Sequence, residues 1–171
     1  AAKSRAVRVV VATDHEEIFA ACQAHNIEVV MTGEYHESGT TRLAEAAQLL
    51  GLSADTVVVN VQGDEPLIDP QLVDQTAAVL VENGAPMATA AHEIHDFDEF
   101  MNPNVVKVVL CRQGRALYFS RAPIAYPRDS MRAGERILPQ AVAPLRHIGI
   151  YAYRAGFLQE YAQMSASPLE N

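Results

Sequence analysis

Two acids follow an apolar run in TVVVNVQGDEPLIDP, residues 56–70. Val57, Val58, Val59 and Val61 are β-branched, and such a run reads as a strand covered by packing on both faces. The strand passes directly into Gln62-Gly63-Asp64-Glu65-Pro66. In open α/β sheets, ligands gather outside the carboxyl ends of the strands, so acids delivered there are placed for chemistry. Asp64 offers a hard oxygen suited to Mg²⁺, which takes one or two carboxylates and lets substrate phosphates complete its octahedron. Gly63 allows a tight exit and a close approach of backbone to a ligand. The plainer alternative is that Asp64 or Glu65 caps a turn.

HESGTTR (36–42) is a second candidate. Ser38, Gly39 and Thr40 precede a helical pattern, and free backbone N–H groups at a helix start can hold a phosphate or a base edge. Arg42 adds positive charge; plain helix capping by the hydroxyls is the competing role. FSRAPIAYPRD (119–129) and RHIGIYAYR (146–154) supply Arg121, Arg128, His147 and Tyr151. Guanidinium groups bind carboxylates bidentately, while a His and a Tyr on one strand face offer hydrogen bonds to sugar hydroxyls. HEIHDFDE (92–99) lacks a coherent metal-ligand spacing and reads as solvated surface.

The elements that must position these residues follow from pattern. AVRVVVA (6–12) and EVVM (28–31) read as short strands, with a helix over about 15–25 between them. Thr13-Asp14 is its cap, and Ile18, Ala21, Cys22 and His25 form its inward face. A helix closed by Gly51 follows, then the quoted strand, then a helix from Asp69-Pro70 to Asn83-Gly84 and a strand over 86–94. Strands and helices alternating at this spacing predict an α/β fold with a mostly parallel sheet flanked by helices. The pattern then changes. NVVKVVL and RALYFSRA flank Cys111-Arg112-Gln113-Gly114 as a hairpin, residues 122–145 read as an extended excursion, and 146–154 alternates with period two. No linker divides the chain, so a single domain over 1–171 is expected.

Composition bounds the partners. The net charge of −8 is unevenly spread: residues 1–111 hold 5 basic against 17 acidic residues, and 112–171 hold 8, all arginine, against 4. An acidic protein is a poor non-specific nucleic-acid binder, whereas the arginine-rich last third suits a small anion, or simply a solvated surface. No apolar run reaches membrane-spanning length. Two cysteines, Cys22 and Cys111, make no disulfide framework and suit a reducing, cytoplasmic setting.

MTGEYHESGTTRLAEA, VVVNVQGDEPLIDP, NPNVVKVVL, ALYFSRAPIAYPRD and RHIGIYAYR occur in order over almost the whole chain. Together they resemble the 3-deoxy-manno-octulosonate cytidylyltransferases, or CMP-Kdo synthetases. The resemblance implies a nucleotidyltransferase fold, a homodimer and Mg²⁺-dependent transfer of CMP from CTP to Kdo, with release of pyrophosphate, in lipopolysaccharide synthesis of Gram-negative bacteria. It implies Asp64 as metal ligand and Gln62 as substrate contact. Arg121, Arg128, His147 and Tyr151 fall where the family holds the sugar acid, and Ser38, Gly39, Thr40, Arg42 and Gly63 fall on the nucleotide side.

The chain departs from the pattern in three places. Ala125 stands where the family often has proline. The family's opening loop, of Pro-Ala-Arg and Leu-Pro-Gly-Lys type, has no counterpart. Its C-terminal part, with a second metal-binding Asp, would begin just after SPLEN (167–171). The expectation is therefore a central fragment, inactive on its own. Two other readings remain open at this point: a cytidylyltransferase for another acceptor, such as a CMP-sialate synthetase, and a non-catalytic nucleotide- or sugar-binding module.

Overall fold

A computed structural model describes residues 3–65, 67–138 and 142–165. The chain forms two compact units: residues up to Ala88 together with those from Ile150 onward, and Thr89–Gly149.

In the first unit, strand β1 (Val11–Thr13) leads through helix α1 (Glu16–Ala24) to strand β2 (Val29–Met31). The two strands pair in parallel with Val11 opposite Val29. The expected first strand is realised only at its end. The cap of α1 also differs: His15 occupies the N-cap position without a side-chain bond, and the Thr13 hydroxyl accepts the His15 N–H at 3.1 Å. Of the four residues expected to face inward, Cys22 is buried and Ile18 is 48% exposed.

Helix α2 (Gly39–Leu49) and strand β3 (Val57–Asn60) follow, then helix α3 (Pro70–Asn83). The α3 signals act as read. Asp69 accepts the Gln71 N–H at 2.9 Å, Pro70 occupies the first turn, and Gly84 stops the helix at φ 58°. Strand β4 (Met87–Glu93) runs from this unit into the next, and strand β7 (Leu145–Arg154) returns from it to end in helix α6 (Ala155–Tyr161).

The valine run has a direct structural cause. β3 pairs antiparallel with β7, with Val57 opposite Arg154 and Asn60 opposite Tyr151. Alternate residues face opposite sides. Val58 and Tyr153 pack with Ala44 and Ala47 of α2 and Leu158 of α6. Val57, Val59 and Ala152 pack with Leu80 of α3 and with Ala88. Both faces are covered by helix, which is why valine occupies both parities from Val57 to Val59.

The second unit holds the rest of β4, helix α4 (Phe97–Met101), the hairpin of strands β5 (Lys107–Leu110) and β6 (Ala116–Ser120), and helix α5 (Arg128–Arg132). The hairpin turn forms where its signal lies: the Cys111 N–H meets the Arg115 carbonyl at 2.8 Å, and Gly114 takes φ 75°. β5 pairs antiparallel with β6 and, at Lys107 and Val108, with β7. Ile94, Phe100 and Val105 form the core of this unit, with Leu138 against it. The excursion expected over 122–145 contains α5 at residues 128–132.

The architecture is therefore α/β, as expected, and the pairing is mixed: parallel at β1–β2 and antiparallel at β3–β7, β5–β6 and β5–β7. The alternation of strands and helices suggested a mostly parallel sheet; β3, however, takes as its partner a strand about 90 residues later that arrives from the opposite direction. Among the described residues no helix is long and apolar enough to cross a membrane.

Leu158, fully buried between α2 and β7, tests this packing. Leu158→Ala is expected to cost about 2–5 kcal/mol in urea unfolding. A loss well below 1 kcal/mol, roughly the surface-site range, would show that α6 does not close this core.

Candidate functional site

Beyond β3, half-buried Val61 leads into a turn closed by the Glu65 N–H on the Gln62 carbonyl at 3.1 Å. Gln62, Gly63, Asp64 and Glu65 are all exposed. The turn is closed by backbone atoms, and among the described residues no hydrogen bond or ion pair engages the Asp64 carboxylate. Among the described residues the Asp64 side chain therefore caps no turn. The tight exit expected of Gly63 is not what calls for glycine either: its φ is not positive, and a Cβ there would meet nothing within 4 Å. What glycine leaves is open space above the turn.

Among the described residues no three His, Cys, Asp or Glu side chains converge as a metal cage. An exposed Asp64 with Glu65 beside it in the chain nevertheless suits a hard cation that keeps waters and takes its remaining oxygens from substrate phosphates.

The start of α2 lies beside the end of β3, since a Cβ on Gly39 would come 3.9 Å from Asn60 Nδ2. Ser38 is the N-cap of α2, its hydroxyl accepting the Thr41 N–H at 3.2 Å. Thr40 Oγ1 lies 3.3 Å from the Tyr153 hydroxyl, and the Tyr153 ring stacks on Tyr151 at 6.0 Å. Burial pushes the Tyr151 phenol above its ordinary value, so it remains a neutral hydrogen-bonding group. Gly39, Thr40 and Tyr151 therefore share one neighbourhood with the end of β3.

Arg42 has partners of its own within the fold. Its guanidinium donates to Thr32 Oγ1 at 2.7 Å, to the Gly33 carbonyl at 3.4 Å and to Asp14 Oδ2 at 2.5 Å. It ties α2 to the ends of β1 and β2, and its hydrogen bond holds the Asp14 carboxyl below the ordinary carboxylate range. A second knot shapes the loop before α2. Glu45 accepts the Gly33 N–H at 2.9 Å and pairs with His36 at 2.5 Å, while the Tyr35 ring covers Gly33 so closely that a Cβ would lie 2.0 Å from it. Gly33, His36 and Glu45 went unnoticed in the sequence, where the only signal was an acid within a helix whose preceding loop carries a histidine.

In the second unit, His147 on β7 has its Nε2 2.9 Å from Thr89 Oγ1 and stands edge-on to Phe119 at 4.9 Å. Burial pulls its imidazole below the ordinary value, favouring the neutral ring. Arg121, just past β6, is exposed and donates to the Pro103 carbonyl at 3.1 Å. Arg128 opens α5, also exposed, and donates to Asp129 at 2.8 Å.

The knots give a pH expectation. Glu45 is held low first by its hydrogen bond from His36 and then by the Gly33 N–H. A carboxyl whose folded value is depressed stabilises the protein above its unfolded value, and that contribution disappears as pH falls through the folded value. Denaturant unfolding should therefore lose stability from about pH 5 downward, and Glu45→Gln should flatten that slope. An unchanged slope in the variant would mean that the His36–Glu45 pair does not hold the folded loop.

A family model described as Cytidylyltransferase matches residues 1–171. The chain is 72% identical over 170 residues to a 3-deoxy-manno-octulosonate cytidylyltransferase of Neisseria gonorrhoeae, and 61% identical over 170 residues to one of Herminiimonas arsenicoxydans. In each case 99% of this chain is matched, against 67% and 68% of the relative. A solved CMP:2-keto-3-deoxy-manno-octonic acid synthetase complexed with CTP superposes with a TM-score of 0.85 at 38% identity, covering 99% of this chain and 66% of that one. The chain thus spans about two thirds of the length of these relatives. With an exposed acid beyond β3 and identity at this level across its whole length, the chain belongs to the 3-deoxy-manno-octulosonate cytidylyltransferase family.

Proposed function

We propose that this chain is part of an enzyme that transfers CMP from CTP to the anomeric hydroxyl of Kdo and releases pyrophosphate. The observation that carries the reading is the exposed Asp64 just beyond the two-faced strand β3, without a partner among the described residues, in a chain 72% identical to a 3-deoxy-manno-octulosonate cytidylyltransferase. In this reading the Kdo hydroxyl attacks the α-phosphorus of CTP, the anhydride bond to the β-phosphate breaks, and the hydroxyl proton is released.

Asp64 would hold a divalent cation, Mg²⁺ by the hardness of the donor, with Glu65 beside it. Such a cation, when bound, neutralises charge on the phosphates. The chain's own residues bind and orient. Gln62 and the open space over Gly63 receive the nucleotide beside the start of α2, where Ser38, Gly39 and Thr40 present main-chain and hydroxyl groups. Arg42 serves that side by fixing α2. Arg121 and Arg128 are assigned to the carboxylate of the sugar acid, and His147 and Tyr151 to its hydroxyls. A neutral His147 both donates and accepts, which suits a hydroxyl better than an anion. A cytoplasmic homodimer acting on these two small-molecule substrates, without nucleic acid or membrane, completes the proposal.

The test uses the full-length enzyme with CTP and Mg²⁺, measuring pyrophosphate release with Kdo or sialic acid as acceptor. Release with Kdo alone is expected. Release with sialic acid alone would reassign the arginines, and release with neither would return the chain to a binding module. Asp64→Asn should lower kcat at least about 100-fold with an unchanged melting temperature, because the side chain is exposed. Full activity in that variant would remove Asp64 from the metal site.

A further inference from the structure

Lys107, the first residue of β5, is 0% exposed. Lysine is almost never fully buried unless its charge is paired. Its ammonium has three N–H donors, and the Lys107 Nζ meets three main-chain carbonyls: Asn102 at 2.9 Å, Val105 at 2.6 Å and Arg121 at 2.6 Å. No carboxylate forms a salt bridge with it among the described residues. The acceptors come from three places: the end of α4, the approach to β5, and the first residue beyond β6. The same 102–105 segment also meets Arg121 at its other end, where Pro103 accepts from the guanidinium. Arg121 is thereby held at both its carbonyl and its side chain, and Lys107 ties the former to the core of this unit.

Packing alone does not call for a cation here, since a methionine would fill a similar volume without the cost of desolvating an ammonium. The neighbouring charge has the same sign. Burial, and then the Arg121 charge, push the Lys107 amine below its ordinary value. An anion arriving at Arg121 would relieve that repulsion.

We propose that Lys107 is a positioning residue, fixing the backbone at Arg121 so that the guanidinium meets the carboxylate of the acceptor sugar acid. This rests on the assignment of Arg121 to that carboxylate. Lys107 touches neither substrate; it acts through Arg121, and its effect falls on the acid rather than on the nucleotide.

A double-mutant cycle in the full-length enzyme tests this, reading KM for Kdo and for CTP together with the melting temperature. Arg121→Ala and Lys107→Met should each raise the KM for Kdo about tenfold while leaving that for CTP within about twofold. The double variant should be no worse for Kdo than Arg121→Ala alone, because Lys107 has nothing left to position. The proposal is overturned if Lys107→Met leaves the KM for Kdo unchanged, raises both KM values alike, or adds its full factor on top of Arg121→Ala. If Lys107→Met does not fold, Lys107→Gln, which is neutral and keeps two N–H donors, is read in the same way. An unchanged KM for Kdo in Arg121→Ala itself would instead remove the assignment of Arg121 to the carboxylate, and the role of Lys107 with it.

Discussion

The antiparallel pairing of β3 with the second half of β7 is the constraint on which the first unit depends. Each of these strands supplies apolar side chains to two clusters at once, one against α2 and α6 and one against α3. A one-residue slip in register would exchange the two faces of the strand, bringing Val58 to α3 and Val57 and Val59 to α2. Because both clusters are already filled, the register is held tightly. That fixes where β3 ends, and so where the turn carrying Asp64 begins. The same pairing sets Asn60 opposite Tyr151, bringing a candidate sugar-binding side chain to the end of the strand that leads to the candidate metal ligand.

Around this frame, several of the charged groups hold backbone in place. Arg42 joins α2 to the ends of β1 and β2, Glu45 closes the loop before α2, and Lys107 gathers three carbonyls in the second unit. Arg121 and Arg128 remain exposed. A buried or half-buried cation with its donors spent on the fold contributes rigidity, whereas an exposed guanidinium can exchange a weak partner for a ligand carboxylate. This distinction divides Arg121 and Arg128 from Arg42. It also explains why charge counts alone left ligand binding and solvated surface evenly matched.

Glycines divide in the same way. Gly33 is required by its own neighbours, because the Tyr35 ring occupies the space of a Cβ. A Cβ at Gly63 would meet nothing among the described residues, so its smallness leaves room at the strand end.

Much of this was legible in the linear chain, for reasons that are local. The continuous valine run marked a two-faced strand, Asp69-Pro70 and Gly84 bounded α3, and Cys111-Arg112-Gln113-Gly114 announced the hairpin, because caps, turns and periodicity act over a few residues. Asp64 was conspicuous for the same reason, as an acid directly after a core strand. Only the tertiary structure decided the rest. Whether β3 met a parallel or an antiparallel neighbour depended on which distant strand reached it, and no periodicity encodes that choice. In the sequence Arg42 offered only its charge, and it took the fold to set Asp14 and Thr32 against it and three carbonyls around Lys107. A side chain's type is written in the sequence, but whether its donors are spent or free depends on residues brought to it from elsewhere in the chain.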